Sequence, residues 1–250
     1  MPQLSIIILT WNQRDVTHRC LCSLMPSIAG ISNEVIVVDN GSTDGTAQLL
    51  EQSFPDVRVI ANTENRGVAA ARNQGIIASK GEFILILDND TVVNAEAIRG
   101  MFDYLDRTPQ AGIVTCRLLN EDHTVQDSLK PYPGLIQKML NTLHLNSGCH
   151  SFPTDEDGVI YPTYVIGACQ MFRRNLIQHI GLLDDNIFYG PEDADFCIRA
   201  TQAGFKVCYL PHFSIEHLHR RITWHRPLSA IARHHFKALL YFYCKHHRWF

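Results

Sequence analysis

Residues 83–90 read Phe83-Ile84-Leu85-Ile86-Leu87-Asp88-Asn89-Asp90, five apolar residues followed by two carboxylates that bracket an amide. An uninterrupted apolar run of this length describes a strand buried on both faces, as in a parallel sheet, and the abrupt polar ending marks where the strand leaves that sheet. Working outward, similar runs occur at Leu4 to Leu9, Val35 to Val38, Val57 to Ile60 and Ile113 to Cys116, with helical patterns near residues 15 to 28, 43 to 53, 67 to 79 and 94 to 107. The alternation predicts an α/β fold, a mostly parallel sheet flanked by helices. Thr43, with Asp44 nearby, is expected to cap the second helix, and Asn94 the fourth.

The rhythm breaks over residues 117 to 162, where Pro131, Pro133, Gly134, Gly148 and Pro153 surround one short amphipathic piece near 135 to 145. An insertion or acceptor-side loop is expected there. Regular structure resumes with Tyr164 to Phe172, a helix near Arg173 to Ile180, a helix from Pro191 to Ala203 and a strand from Lys206 to Tyr209.

At 250 residues and 46% hydrophobic content the chain can bury one large core. A net charge of -3 lacks the cationic excess of phosphate-backbone binders, so no nucleic-acid partner is expected. The eight cysteines are scattered without CxxC spacing, which fits a reducing, cytoplasmic setting. The opening MPQLSIIILTWN has no basic leader and reads as a first strand, and no run approaches the roughly 20 apolar residues of a membrane span. The expectation is a soluble or peripheral chain.

In an open parallel sheet, ligands bind beyond the carboxyl ends of the strands. Here those ends carry Thr10-Trp11-Asn12, Asp39-Asn40-Gly41-Ser42 and Asp88-Asn89-Asp90, so three strands deliver polar groups to one edge. Two hard oxygen ligands at Asp88 and Asp90 suit Mg²⁺ or Mn²⁺, although an Asp-x-Asp triplet also occurs as a simple turn. Asp39 could serve a dinucleotide ribose, but the loop Thr10-Trp11-Asn12-Gln13-Arg14-Asp15 lacks the glycines that a pyrophosphate requires, and no Walker loop is present. Pro191-Glu192-Asp193-Ala194-Asp195 sets three acids at a helix start, either to complement the helix dipole or to supply a general base.

Taken together, SIIILTWN (5–12), VIVVDNGSTDGT (35–46), NRGVAAARNQGI (65–76), LDND (87–90), GACQMFRR (167–174) and LLDDNIFYGPEDADFCIRATQAGF (182–205) resemble glycosyltransferase family 2 enzymes of GT-A fold, in particular the rhamnosyltransferase-like members that build bacterial surface polysaccharides. The resemblance implies an inverting transfer from a nucleotide-diphosphate sugar, a UDP- or dTDP-sugar with dTDP-rhamnose among them, to a hydroxyl of a glycan or lipid-linked acceptor. It places Asp39 on the nucleotide base beside Thr10 and Asn12, and Arg72 near the diphosphate. Asp88 falls at the ribose or metal, Asp90 is a metal ligand, and His217 completes the metal shell in competition with His212 and His219. Asp193 becomes the general base, with Glu192 as an acceptor contact and Asp195 as the alternative base. Asn89 departs from relatives that carry a third carboxylate in this triplet, which lowers the local negative charge. The implied organisation is a catalytic domain over 1–217, nucleotide-binding to about 116 and acceptor-side from about 117, then a tail over 218–250. An inactive sugar-nucleotide-binding protein and a nucleotidyltransferase are the competing readings.

From His217 to Phe250 there are seven Lys or Arg and no Asp or Glu. Phe236, Leu239, Leu240 and Tyr243 recur at helical spacing, which predicts an amphipathic helix near 228 to 247. It either packs on the catalytic domain with its basic face in water or lies on an anionic membrane as a peripheral contact.

Overall fold

The computed structural model describes residues 2–131, 151–218 and 230–246; the amphipathic piece expected near 135 to 145 and His219 lie outside them. The first half follows the βαβ rhythm: β1 (Leu4–Thr10), α1 (Arg14–Ser27), β2 (Asn33–Asp39), α2 (Thr46–Ser53), β3 (Arg58–Ala61), α3 (Val68–Ala78), β4 (Phe83–Asp88), β5 (Thr91–Val92), α4 (Ala95–Arg107) and β6 (Ala111–Leu119). The second half contains β7 (Leu129–Lys130), β8 (Tyr164–Val165), β9 (Cys169–Arg173), α5 (Arg174–Ile180), α6 (Glu192–Gln202), β10 (Lys206–His217) and α7 (Ala230–His246).

Eight strands form one sheet in the order β3-β2-β1-β4-β9-β6-β10-β5. Strands β3, β2, β1 and β4 run parallel, as do β6 and β10, while β9 enters antiparallel between β4 and β6. The mostly parallel expectation therefore holds, with β9 reversed at the centre and β5 reversed at the edge, antiparallel to β10. Within β4 the side chains alternate as the pleat requires: Phe83, Leu85 and Leu87 join the core under α1 and α4, and Ile84 and Ile86 join the core under α3, α5 and α6. Burial on both faces is the reason that the run carries no polar residue before Asp88. The chain order turns back at β1, whose neighbours are β2 and β4, so the crevice beyond the ends of β1, β2 and β4 is the switch point of the sheet.

Two expectations change. Asn94 caps α4, its side chain accepting from the Ala97 amide at 2.9 Å, but Thr43 does not open α2. Gly45 holds a left-handed φ of 82° and delays helix entry to Thr46. Asp44 supplies the acceptor, taking the Thr46 amide at 3.1 Å. Strand β10 continues to His217, well past Tyr209, because a register shift between Leu210 and Ser214 absorbs the irregular Pro211-His212-Phe213 and lets pairing resume with β6 and then β5.

Candidate active site

The extra length of β10 delivers a ligand. Its last residue, His217, pairs with Thr91 of β5, the short strand that follows the Asp88-Asn89-Asp90 turn. His217 Nε2 lies 3.3 Å from Asp90 Oδ1 and 4.0 Å from Asp88 Oδ2, and one ligand atom from each of the three residues falls within 4.8 Å of the others. His212 sits at the irregularity instead, exposed and next to Gly158. The orientation of His217 is set by Gln126, a residue without a sequence signal in a turn-rich segment. Its amide nitrogen donates to the His217 carbonyl at 2.8 Å, so its oxygen faces Nδ1, also at 2.8 Å. Nδ1 must then carry a proton, and in the neutral ring the Nε2 lone pair points at the two carboxylates. Two carboxylates and an imidazole oriented from behind are a donor set suited to a divalent cation. Burial works to lower the His217 pKa, but the Asp90 hydrogen bond and the charges of Asp88 and Asp90 raise it, so cation loading displaces a proton and strengthens as pH rises. Gln126→Leu is expected to lower Mn²⁺ affinity about 10- to 100-fold in titration calorimetry; an unchanged affinity would deny Gln126 this role.

Asn89 points elsewhere. Its amide donates to the hydroxyls of Thr17 at 2.9 Å and Thr10 at 3.3 Å in a buried network, so its substitution for a carboxylate leaves the cation-facing set unchanged. Thr10 belongs to that network, bonded to Thr17 at 2.7 Å. Asn12 and Asp39 shape the adjoining loops. Asn12 has a left-handed φ of 52° and accepts the Thr43 amide at 2.8 Å, while Asp39 accepts the Ser42 amide at 2.9 Å. Together they staple the exit of β1 to the exit of β2.

Arg72 connects this edge to the second acidic cluster. Nearly inaccessible on α3, it pairs with Asp88 at 2.5 Å and Glu192 at 3.2 Å and donates to the Gly167 carbonyl at 3.1 Å. A Cβ on Gly167 would lie 2.8 Å from the guanidinium, so only glycine allows this approach. The Gly167 amide donates in turn to Asp193 Oδ2 at 3.0 Å, and Asp193 Oδ1 accepts its own helix amide from Ala194 at 2.7 Å. Burial, then the charge of Asp193, pushes Glu192 up to about 7 against the pull of Arg72. Burial likewise raises Asp193 against its two amide donors and Arg72. Glu192 and Asp193 are thus disposed to exchange protons nearer neutrality than an ordinary carboxylate.

Asp195 differs in its partners. Burial alone would raise it, but His246, Arg199 and Lys245 surround the carboxylate and hold it down at about 2.

Residues 5–181 match the family described as Glycosyl transferase family 2. The chain belongs to that family. Its fold is accordingly GT-A, with the polar ends of β1, β2 and β4 on one edge and the acid-rich helix α6 across Arg72 from them. Among curated relatives, this family member is 26% identical over 266 residues to the N-acetylglucosaminyl-diphospho-decaprenol L-rhamnosyltransferase of Mycobacterium tuberculosis, covering 98% of this chain and 86% of that one. It is 27% identical to the low-salt glycan biosynthesis hexosyltransferase Agl10 of Haloferax volcanii over 83% of this chain and 64% of that one. Among solved structures it is similar to the mannosyltransferase PcManGT of Pyrobaculum calidifontis in complex with GDP-Man and Mn²⁺, with a TM-score of 0.65, 20% identity and coverage of 96% of this chain and 64% of that chain. It is also similar to S. aureus TarS in complex with UDP-GlcNAc, with a TM-score of 0.61, 19% identity and coverage of 88% and 59%. The protein is a glycosyltransferase.

Proposed function

We propose that this glycosyltransferase moves a sugar, with inversion, from a UDP- or dTDP-sugar, dTDP-rhamnose first among them, to a hydroxyl of a lipid-linked or polysaccharide acceptor. The observation that carries the reading is the arrangement across Arg72, with a cation-ready set of Asp88, Asp90 and His217 on one side and the Glu192–Asp193 pair on the other. The Mycobacterium tuberculosis relative supports the choice of sugar and of a diphospholipid acceptor by its name, and the Pyrobaculum calidifontis complex supports a divalent metal. Asp88, Asp90 and His217 would hold a divalent cation, which when bound would supply Lewis-acid neutralisation of the departing diphosphate. The imidazole nitrogen in that set favours Mn²⁺ over Mg²⁺. Asp193 accepts the proton of the acceptor hydroxyl as its oxygen attacks the anomeric carbon, and the bond from that carbon to the phosphate oxygen breaks on the opposite face. Glu192 Oε2, buried and without a hydrogen-bond partner among the described residues, is the group offered to a second acceptor hydroxyl. Asp39, Thr10 and Asn12 shape the pocket for the base, and Arg72 acts on the diphosphate side mainly by fixing Asp88 in place.

Nucleotide-diphosphate release from a panel of UDP-, dTDP- and GDP-sugars, with Mn²⁺, Mg²⁺ or EDTA, tests this reading. Metal-dependent release from one donor supports it. Binding without release would leave a sugar-nucleotide-binding protein, and pyrophosphate release from a nucleoside triphosphate would establish a nucleotidyltransferase.

The acceptor reading extends to the tail. No helix among the described residues is long and apolar enough to cross a membrane, but α7 exposes Phe236, Leu240 and Tyr241 beside the exposed Arg233 and Lys237. A face of this kind suits peripheral contact with an anionic bilayer, here the inner face of the cytoplasmic membrane. The unpaired state of the seven described cysteines is in keeping with that compartment. Sedimentation with phosphatidylglycerol vesicles, weakened about tenfold by Phe236→Asp with Leu240→Asp, is the expected result. Equal binding to neutral vesicles would sink the preference for an anionic bilayer, and failure to sediment with either would sink the membrane contact.

A further inference from the structure

The cations of the tail do not all face solvent, and the place where they turn inward is close to the reacting groups. Asp195 lies two residues after Asp193 in the first turn of α6, with no side-chain exposure. Its carboxylate accepts from Arg199 of its own helix at 2.7 Å and from two residues of α7, Lys245 at 2.7 Å and His246 at 2.9 Å. Lys245 also bonds Asp184 at 2.6 Å, which accepts from Tyr241 at 2.9 Å, so the loop before α6 is tied to the same helix. Between these polar contacts Phe242 and Tyr243 are fully buried against Ala194 and Ile198.

A second grip lies further back on α7. The His234 ring stacks on Phe188, with centroids 4.3 Å apart and 24° between planes. His235 Nδ1 lies 3.1 Å from the Tyr189 carbonyl. Phe188 rests on the start of α3, its carbonyl accepting from Val68 at 2.7 Å, and a Cβ on Gly67 would meet that carbonyl at 2.7 Å. The segment from Phe188 to Asp195 is therefore held at both ends by α7, and Glu192 and Asp193 lie between the two grips. These contacts run to α6 and its approach loop rather than to the loops after β1 and β2.

We propose that α7 is a brace for the base-bearing turn of α6, with Lys245, His246 and His234 as positioning residues for Asp193; the proposal rests on reading Asp193 as the base. Three acids crowd that single turn, and a buried carboxylate is tolerated beside two others only when cations cancel it. Arg199 provides a cation from within the helix and Lys245 one from outside it, while His246 adds a ring-nitrogen contact, and in doing so they fix the position and the field at Asp193. A brace of this kind acts on the rate of transfer and leaves donor binding alone.

The test uses the full chain with Mn²⁺ and dTDP-rhamnose, or whichever sugar nucleotide of the panel is turned over, and water as acceptor. Lys245→Met is expected to lower kcat about tenfold with donor KM within about twofold, and Lys245→Arg to restore most of the loss. His234→Ala, a surface change, is expected to lower kcat about threefold, again at constant KM, and it carries the test if Lys245→Met does not fold. A Lys245→Met protein that melts earlier yet keeps its kcat overturns the brace, as does a loss confined to KM. Asp193→Asn measured alongside separates the two ideas. Full turnover in that variant removes the base assignment, whereas a normal kcat in Lys245→Met and His234→Ala beside an inactive Asp193→Asn removes only the brace.

Discussion

Asp90→Ala is expected to lose metal-dependent nucleotide-diphosphate release by about 100- to 1000-fold in kcat/KM, because charge that develops on the departing diphosphate is left without its counter-charge. Asp90 is the carboxylate nearest His217 Nε2, at 3.3 Å, and its removal takes one of the three ligand positions outright. The same variant is expected to bind Mn²⁺ at least about tenfold more weakly in calorimetry, which separates loss of the ion from a general loss of fold. Asn89→Ala is the contrasting control. That side chain serves the buried Thr10–Thr17 network, so its removal is expected to cost about 1 to 3 kcal/mol of stability while Mn²⁺ affinity stays within about twofold. A protein in which Asn89→Ala abolishes ion binding and Asp90→Ala does not would refute the assigned ligand set.

Asp193→Asn is expected to reduce kcat about 10²- to 10⁴-fold with donor affinity retained, since the amide preserves shape and cannot accept the acceptor proton. The wild-type pH profile provides a second reading of the same group. Only the ionised carboxylate is competent, and burial raises its pKa, so activity is expected to fall on acidification at a higher pH than an ordinary aspartate would give. Glu192→Gln is the contrasting control: the charge of Asp193 helps to raise Glu192, so Asp193 ionises first and Glu192 is mostly neutral where it does. The acid limb is therefore expected to stay nearly in place in Glu192→Gln. A limb that survives unchanged in Asp193→Asn would show that another group limits the rate.

The parts of this site that could be read from sequence are those in which one strand delivers its own chemistry. Asp88 and Asp90 follow five apolar residues of β4, and Glu192 and Asp193 open α6, so local periodicity alone puts them at element ends. Asn94 was legible as a cap for the same reason, since a cap acts within its own first turn. Thr43 misled because local composition does not disclose that Gly45 would adopt a left-handed conformation. Strand β10 seemed to end at Tyr209 because Pro211 and His212 break the apolar pattern, and only pairing with β6 and β5 carries it on to His217. Gln126 had no pattern at all. Its importance comes from a contact across 91 positions, which no local signal records.

The tail shows the same division most clearly. Its excess of Lys and Arg and its helical spacing were evident, yet they left open whether the basic face meets water, lipid or protein. The fold answers differently for different residues of one helix: Arg233 and Lys237 face outward, while Lys245 and His246 turn onto Asp195. The sequence by itself determined the α/β alternation and the four carboxylates at the ends of β4 and α6, because each follows from the periodicity or composition of one continuous stretch, and the family, because six motifs match it together and in order. Only the tertiary structure decided which histidine faces Asp88 and Asp90, that Arg72 joins the two acidic clusters, and that Asp195 belongs to the tail. Those outcomes depend on electrostatic and hydrogen-bond partners brought together from distant parts of the chain, and a buried charge takes whichever partner the packing supplies.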